Sequence, residues 1–537
     1  AITTPPWFGR MAVEGKGYFS SPLPLKALAR FPHFDQLALA VKKEAGLTRF
    51  SELIEEKIPL KISTAPSNHP AYWVVDEIFK AYDVRGIYGD TLKEEMVQRI
   101  GKAVVTFLQC KELLVGHDMR VSAPALSHAF MKGAVEMGCK VIHIGTVSTD
   151  CLYFAAGYLN KPGVMFTASH NPKEYNGIKF CKAGALPINF DTGLGQIKQI
   201  VAKDKYKQVS KRQGSITNKD VAKEFGEHIR NFVDPSGLKK LKIAADAGNG
   251  MAGKMVPLVY DKLPITIIPL YFELDGTFPN HPADPSKYEN LRQLQKTVVN
   301  EKCDFGMAFD GDADRIFFVD EKGNVCNSSL ISALIVKKLL GRHNNSVSNT
   351  KKANGSAVDN AGKGAIIYNV VVGRIVPETI LSLGGVPIKE RVGHSFIKDT
   401  MRKHKALFGC EHSAHYYYKD NYNADSGLVT SIIIAQIISD SGKRLSQLLD
   451  EFRKYHTIEE TNATVTDKAA KMQEIKKIYE EKAKKIEEMD GISIDMGDWW
   501  FNVRPSNTEP LLRLNLEAVS EKLMNEKKEE ILKLMKA

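Results

Sequence analysis

The chain is 537 residues long, 43% hydrophobic and 26% charged, with a formal net charge of +11. At ~150 residues per domain this predicts three or four domains, each large enough to bury its own core. Seven cysteines, an odd number with no CxxC pair, argue against a disulfide framework or a zinc ribbon and for a reducing, cytoplasmic setting. Lys and Arg alternate with acids, as in "KKIYEEKAKKIEE" (476–488), so the excess charge reads as solvated surface rather than a nucleic-acid stripe. It suits small anionic substrates. The apolar run "SIIIAQII" (431–438) is far short of a membrane span, so no membrane partner is expected. The opening "AITTPPWFGRMAVEGKGYFS" lacks the charged start and apolar core of a secretory signal.

Residues 1–75 hold short amphipathic pieces without a clear period and are read as an extension of unknown function. From Ile78 the chain becomes regular. "ELLVGHDMR" (112–120) reads as a strand and a polar loop, "ALSHAFMKGAVEMG" (125–138) as a helix, and "KVIHIGTV" (140–147) as the next strand. The order returns in "LKIAADAGNG" (241–250), a short helix and "ITIIPLYF" (265–272). It returns again in "GAIIYNVVVGR" (364–374), "VPETILSLGG" (376–385) and "VPIKERVGHS" (386–395). Strand, loop, helix and strand at one spacing is the βαβ signature of a parallel sheet. The polar stretch 343–364 is expected to be a surface loop. Met472, Ile475, Tyr479, Ala483 and Ile486 recur at three- and four-residue steps, as on an amphipathic helix. Strand-like "WWFNVRP" (499–505) and "LLRLNLEA" (511–518) follow, then a helix from Glu521. The expected architecture is three tandem related α/β domains with mixed or parallel sheets, residues 76–217, 218–325 and 326–450. A C-terminal α+β domain, residues 451–537, completes a central active-site cleft.

Four loops carry candidate chemistry. In "GVMFTASHNPKEYNGIKF" (163–180) an apolar strand breaks into Thr-Ala-Ser-His-Asn-Pro and resumes. Such residues punctuate ordinary turns, but Ser169 at a strand end is also a candidate nucleophile or phosphorylated residue. In "FGMAFDGDADRIFFVD" (305–320) Asp310, Asp312 and Asp314 alternate, so in an extended chain all three carboxylates point one way. Three like charges held together ask for a cation. A calcium loop of the EF-hand type fails, because Arg315 stands where that loop needs glycine and the flanks read as strands; magnesium with oxygen ligands suits better. "RPSNTEP" (504–510) sets the guanidinium of Arg504 beside Ser506, Asn507 and Thr508, donors that suit a phosphate dianion. "GCEHSAHYYYKD" (409–420) offers Glu411 and Ser413 to a pair of sugar hydroxyls. Each of these is also readable alone as a polar turn.

"TASHNP", "DGDADR", "CEHSAH" and "RPSNTEP" stand in the order of the four active-site loops of the α-D-phosphohexomutase superfamily, which the chain resembles over roughly residues 76–537. "IFKAYDVRGIYG" (78–89), "FPNHPADPSKYENL" (278–291) and "RVGHSFIK" (391–398) add to the resemblance, and "EHSAHYYY" and "VGHSFIK" look most like the bacterial phosphomannomutase and phosphomannomutase/phosphoglucomutase group. Ala313 and Ala414 depart from it, standing where many members have glycine. The resemblance implies that Ser169 carries a phosphoryl group and holds one Mg2+ together with Asp310, Asp312 and Asp314, with Arg315 polarising the phosphate. The implied reaction moves phosphate between C6 and C1 of a hexose through a hexose 1,6-bisphosphate, which also serves as activator. Arg504, Ser506, Asn507 and Thr508 would clamp the far phosphate; Glu411 and Ser413 would hold sugar hydroxyls; Tyr82, Arg85 and Lys398 would be secondary contacts. His170, Lys179 and His394 remain open as the general base. Mannose phosphates are the first expectation and glucose phosphates the alternative, for a monomer or a dimer. A metal-dependent sugar phosphatase and a non-catalytic sugar-phosphate binder are the rivals.

Overall fold

The structure is a computed structural model that describes residues 75, 77–354, 364–465, 467–505 and 511–536, with the residue pairs 2–3, 38–39 and 62–63. The chain divides into two units, 1–76 and 77–537. In the first, Ile2–Thr3, Ala38–Leu39 and Ile62–Ser63 form a small antiparallel sheet. The rest of the extension, with the expectations placed on it, lies outside the described residues.

The second unit contains four domains, each built on its own sheet. The first sheet has β1 (Val84–Ile87), β2 (Glu112–His117), β3 (Lys140–Thr146), β4 (Gly163–Phe166), β5 (Tyr175–Lys182), β6 (Leu186–Pro187) and β7 (Ile216–Asn218). Their order is β7-β3-β2-β4-β5-β1, with β6 beside β5; β7, β3, β2 and β4 are mutually parallel, while β5 and β1 return antiparallel. Helices α2 (Ala123–Glu136) and α3 (Thr149–Tyr158) pack on it, and α1 (Glu94–Leu108) packs against α2.

The second sheet has β8 (Leu241–Asp246), β9 (Ile265–Leu270), β10 (Phe305–Phe309), β11 (Ile316–Asp320) and β12 (Val325–Cys326), in the order β9-β8-β10-β11-β12, with α4 (Ala252–Tyr260) between β8 and β9. The third repeats it: β13 (Ala365–Asn369), β14 (Val386–Glu390), β15 (Phe408–Cys410), β16 (Tyr416–Tyr418) and β17 (Ala424–Asp425), ordered β14-β13-β15-β16-β17. In both, the first three strands are parallel and the next two antiparallel. In all three sheets the chain crosses from the central strand to one side, crosses back to the other, and then returns antiparallel. The loop at that return carries Ser169 after β4, the aspartates after β10 and Glu411 after β15. Crevices at the carboxyl ends of parallel strands, beside such a change of direction, are where open α/β sheets place ligands.

The third domain adds α5 (Ser328–Asn354), α6 (Ile375–Ser382), α7 (His394–His404) and α8 (Gly427–Ser441). Helix α8 contains "SIIIAQII" and is buried from Gly427 to Ser439, capped by the Ser426 hydroxyl on the Val429 N–H at 3.1 Å. An apolar run on all faces of this helix therefore serves a core. Among the described residues no helix is long and apolar enough to cross a membrane. The fourth sheet is antiparallel: β18 (His456–Thr457), β19 (Thr461–Thr464), β20 (Lys485–Glu487), β21 (Ile492–Asp495), β22 (Trp499–Pro505) and β23 (Leu511–Ala518), covered by α9 (Lys468–Tyr479) and α10 (Glu521–Lys536).

Two expectations are corrected. The stretch 343–364 is not loop throughout, because α5 continues to Asn354. Helix α9 stops at Tyr479, whose ring packs edge-on to Trp499 and Phe501, and Ile486 belongs to β20 opposite Ile494.

Candidate active site

Ser169 sits at φ +50 in the loop between β4 and β5. The left-handed region costs a residue with a side chain roughly 1–2 kcal/mol, so the surroundings must hold it there. They do. The Ser169 N–H donates to Thr167 Oγ1 at 2.9 Å, and the Ser169 carbonyl accepts from Arg120 Nη2 at 2.8 Å. Arg85 donates to Ala168 O at 3.1 Å and to the Asn171 side chain. Gly311 passes so close that a Cβ on it would lie 2.6 Å from the Ser169 carbonyl oxygen, which leaves glycine as the residue that fits. Held this way, the Ser169 hydroxyl donates to Asp310 Oδ2 at 2.5 Å and lies 3.2 Å from His170 Nδ1.

The aspartates occupy a turn between β10 and β11. The expected extended alternation is therefore corrected: Ala313 adopts φ +62, and the turn rather than the strand pleat gathers the carboxylates. One oxygen of each lies within 4.8 Å of the others, and all three residues are buried. Burial pushes the Asp310 carboxyl well above its usual range, and the charges of Asp312 and Asp314 push it further. Lys179, on β5, places Nζ 2.8 Å from Asp312 Oδ2 and 2.6 Å from Asp314 Oδ2. Burial opposes its charge, but the two carboxylates outweigh burial and hold the ammonium well above its usual value. Thr149, the first residue of α3, donates to Asp312 Oδ2 at 2.5 Å. Asp312 Oδ1 and Asp314 Oδ1 remain buried without a hydrogen-bond partner. Three carboxylates with two orphaned oxygens beside a single ammonium fit a hard divalent cation with oxygen ligands, as Mg2+ is. Arg315 completes the group, donating from Nη2 to His170 Nδ1 at 2.7 Å with Nε 3.5 Å from Asp310 Oδ2.

The third loop meets the second through the backbone bridge Arg315–His415. Glu411 accepts from Gly393 N at 2.9 Å, Asn369 Nδ2 at 3.1 Å and the Tyr417 hydroxyl at 2.5 Å. Ser413 is half-buried beside it. His394 opens α7 with Tyr82 edge-on to its ring at 5.1 Å. Burial drives its imidazole well below the usual value, and Lys398 and Lys179 add to the effect. Lys398 is fully buried, 2.7 Å from Asp425 Oδ1 and 3.7 Å from the centre of the Tyr153 ring. That ammonium is the counter-ion of Asp425. Arg504, on β22, donates from Nη2 to Glu460 Oε2 at 3.1 Å, and Arg513 donates to Glu460 Oε1 at 2.8 Å. Burial lowers the His412 imidazole, with the charges of Glu460 and Arg504 as lesser influences. Ser506, Asn507 and Thr508 lie outside the described residues.

Four domain models of one family match the chain in order. They are phosphoglucomutase/phosphomannomutase alpha/beta/alpha domains I, II and III over residues 76–208, 223–323 and 331–455, and its C-terminal domain over 460–534. A phosphomannomutase of Methanocaldococcus jannaschii is 37% identical over 460 residues, covering 85% of this chain and 97% of that protein. The chain belongs to the phosphoglucomutase/phosphomannomutase family. It is thus a phosphohexomutase, an isomerase with four domains. A relative from Xanthomonas campestris pv. campestris (strain B100), named for phosphohexose mutases, is 38% identical over 443 residues, 82% of this chain and 94% of its own. The solved phosphoglucomutase/phosphomannomutase family protein of Burkholderia thailandensis is 28% identical, with a TM-score of 0.75 over 85% of this chain and 96% of that one.

Within this phosphohexomutase the structure gathers Ser169, His170, Lys179, Arg315 and the three aspartates into one contact network, with Arg85 bracing it. Sequence reading passed over Thr149, Arg120 and His415. His415 sits with Nε2 3.4 Å from Asp314 Oδ1 and 3.7 Å from Asp425 Oδ2, and burial lowers its imidazole to about 4. Its place in "CEHSAH", two residues after Ser413, was the available signal.

Proposed function

We propose that this phosphohexomutase interconverts hexose 6-phosphate and hexose 1-phosphate, with mannose phosphates as the preferred pair, by way of a phosphorylated Ser169 and a hexose 1,6-bisphosphate. The observation that carries the reading is the Ser169 hydroxyl, held in a left-handed turn against Asp310 and beside Arg315. The names of the relatives support the mannose preference.

In the forward half-reaction a sugar hydroxyl attacks the phosphorus on Ser169. The P–O bond to the sugar forms as the bond to Oγ breaks, and the sugar's proton passes to a base. The 1,6-bisphosphate then turns end for end, and Oγ takes the other phosphate back. Asp310, Asp312 and Asp314, with a phosphate oxygen on Ser169, would hold Mg2+, which when bound supplies Lewis-acid polarisation of that phosphate. Arg315, beside Asp310 and His170, offsets charge on the transferring group. His170 Nδ1 accepts from Arg315, and Lys179 lies on Asp312 and Asp314, whose charge a bound cation would offset, so both stay candidates for the base. His394 and His415 are buried imidazoles whose charge burial disfavours, His394 Nε2 carries no hydrogen bond, and His415 joins His170, Lys179 and His394 as a candidate for the base. Glu411 and Ser413 hold sugar hydroxyls, and Arg504 clamps the far phosphate.

Two measurements test the reading. Side-by-side kcat/KM values for mannose 1-phosphate, glucose 1-phosphate and glucosamine 1-phosphate should rank mannose first. Mass spectrometry of purified enzyme should place one phosphate on the "TASHNP" peptide, and dephosphorylated enzyme should need a hexose 1,6-bisphosphate before it turns over. Steady release of inorganic phosphate without that requirement would favour a phosphatase and remove Ser169 as carrier.

A further inference from the structure

Arg120 follows β2 and is 1% exposed. Its guanidinium spends its four terminal N–H bonds on backbone carbonyls of one loop. Nη1 donates to Pro172 O at 2.8 Å and Tyr175 O at 3.0 Å; Nη2 donates to Ser169 O at 2.8 Å and Asn171 O at 2.7 Å. The remaining Nε faces Asp118 Oδ2 at 3.4 Å, and Asp118 Oδ1 accepts Arg120's own N–H at 2.9 Å. The second domain closes over this arrangement. The Phe278 ring centre is 5.2 Å from the guanidinium carbon, and Gly276 packs against Arg120 so closely that a Cβ would lie 2.6 Å from its Cα.

A chain reversal is ordinarily closed by one i to i+3 hydrogen bond. Four charge-assisted bonds into residues 169–175 exceed what turning the chain requires. One of them grips the carbonyl of the residue whose φ is left-handed. That grip sets the direction in which the Ser169 side chain leaves the backbone. A planar guanidinium serves four convergent carbonyls, where an ammonium with three tetrahedral donors cannot.

We propose that Arg120 is the positioning residue of the phosphoryl carrier: it fixes the backbone at Ser169, and Phe278 of the second domain locks it there. The proposal rests on Ser169 being that carrier. Oγ must act twice in one cycle, as the leaving atom when the P–Oγ bond breaks and as the attacking atom when it re-forms. Both steps need the same line of approach, so a loop free to relax would lose both half-reactions alike while leaving the distant phosphate clamp untouched.

The test uses full-length Arg120→Lys and Phe278→Ala enzymes. Turnover is normalised to the fraction of Ser169 phosphorylated, and amide hydrogen exchange is followed over residues 168–176. In Arg120→Lys, kcat per phosphorylated serine should fall roughly 100-fold, the scale for a misplacement of about 1 Å. KM should stay within about a factor of two, since ground-state binding is not what is lost. Exchange should rise over 168–176 and stay level in the second domain's sheet. Phe278→Ala, at a half-buried surface position, should move both readouts the same way by a smaller factor and carries the test if Arg120→Lys does not accumulate. Unchanged kcat per phosphorylated serine, or exchange that rises across the whole chain in step with lost folded protein, overturns the assignment. Active wild-type enzyme with no phosphate on Ser169 would instead overturn the carrier reading.

Discussion

Replacing Lys179 by Met tests the metal loop without touching a proposed ligand. The ammonium is buried and answers Asp312 and Asp314 at 2.8 and 2.6 Å. Removing one partner of a buried ion pair costs about 3–5 kcal/mol, because the remaining charge is left uncompensated. For the three domains that share one core, about 370 residues, ~2.1 cal/mol/K per residue gives ~1.3 °C per kcal/mol, so the metal-free variant should melt roughly 4–6 °C below wild type. A divalent cation among the same oxygens would restore much of that loss. Binding at 100 times Kd stabilises by about 2.7 kcal/mol, and the variant, no longer holding an ammonium on two ligands, should bind more tightly than wild type. Melting curves in chelator and across a Mg2+ titration measure both effects. The expected result is a lower melting temperature without metal and a larger Mg2+-dependent rise than in wild type. Equal Mg2+ shifts in the two proteins would refute the assignment of Asp312 and Asp314 as ligands, whatever the activity.

Arg504→Lys should raise KM for hexose phosphate markedly with a smaller change in kcat, because a point charge cannot reproduce a bidentate fork; unchanged steady-state constants would place the phosphate clamp elsewhere. Asp150 is fully buried between the Ser148 and Ser426 hydroxyls, and burial raises its carboxyl to about 7. A raised acid contributes stability in full below its unfolded value and loses it as pH climbs through the folded one, so Asp150 costs stability between about pH 4 and 7, by about 4 kcal/mol when fully ionised. Asp150→Asn should therefore melt above wild type near pH 8 and show no advantage near pH 4; an advantage of equal size at both would remove ionisation as the cause.

The chemistry-bearing loops were legible because they interrupt apolar strands with residues that do nothing for a core: "TASHNP" and "DGDADR" stand out for that reason. The geometry inside them was less so. Alternation predicted converging carboxylates through a strand pleat, whereas a turn with Ala313 at φ +62 brings them together. Ala313 and Ala414, the two departures from the family's glycines, both occupy the left-handed region, at φ +62 and +63. That is the region glycine enters most readily. Arg120, Thr149 and His415 were missed because their meaning lies in partners distant in sequence, as Thr149 with Asp312 shows. The run of Asn and Ser after Arg342 has the composition of a loop, yet α5 continues through it to Asn354.

Why three loops from three sheets converge follows from how the domains are joined. Thr149 N donates to Asp312 O, Gly427 N to Ala313 O and Ile316 N to Ala414 O, so the backbone of the aspartate loop is bonded to both neighbouring domains. Beneath these bonds one continuous hydrophobic cluster runs from Leu114 and Met165 through Phe305 and Phe309 to Tyr416 and Ile432. The fourth domain has a separate core around Phe501, Leu514 and Ile531. It meets the third through partly exposed ion pairs, Arg374 with Asp495 at 2.7 Å and Lys389 with Glu487, through Val392 N on Asp490 at 3.0 Å, and through the buried Glu517, whose Oε1 accepts from Arg374 N at 3.1 Å. Exposed ion pairs are worth little each, about 0–1 kcal/mol, whereas a shared core resists displacement. The parts proposed to transfer the phosphoryl group thus share one core, and the arginine proposed to clamp the far phosphate sits on a domain with its own. An intermediate that must turn end for end between two phosphoryl transfers needs that division: a fixed donor for the chemistry, and a clamp able to give way.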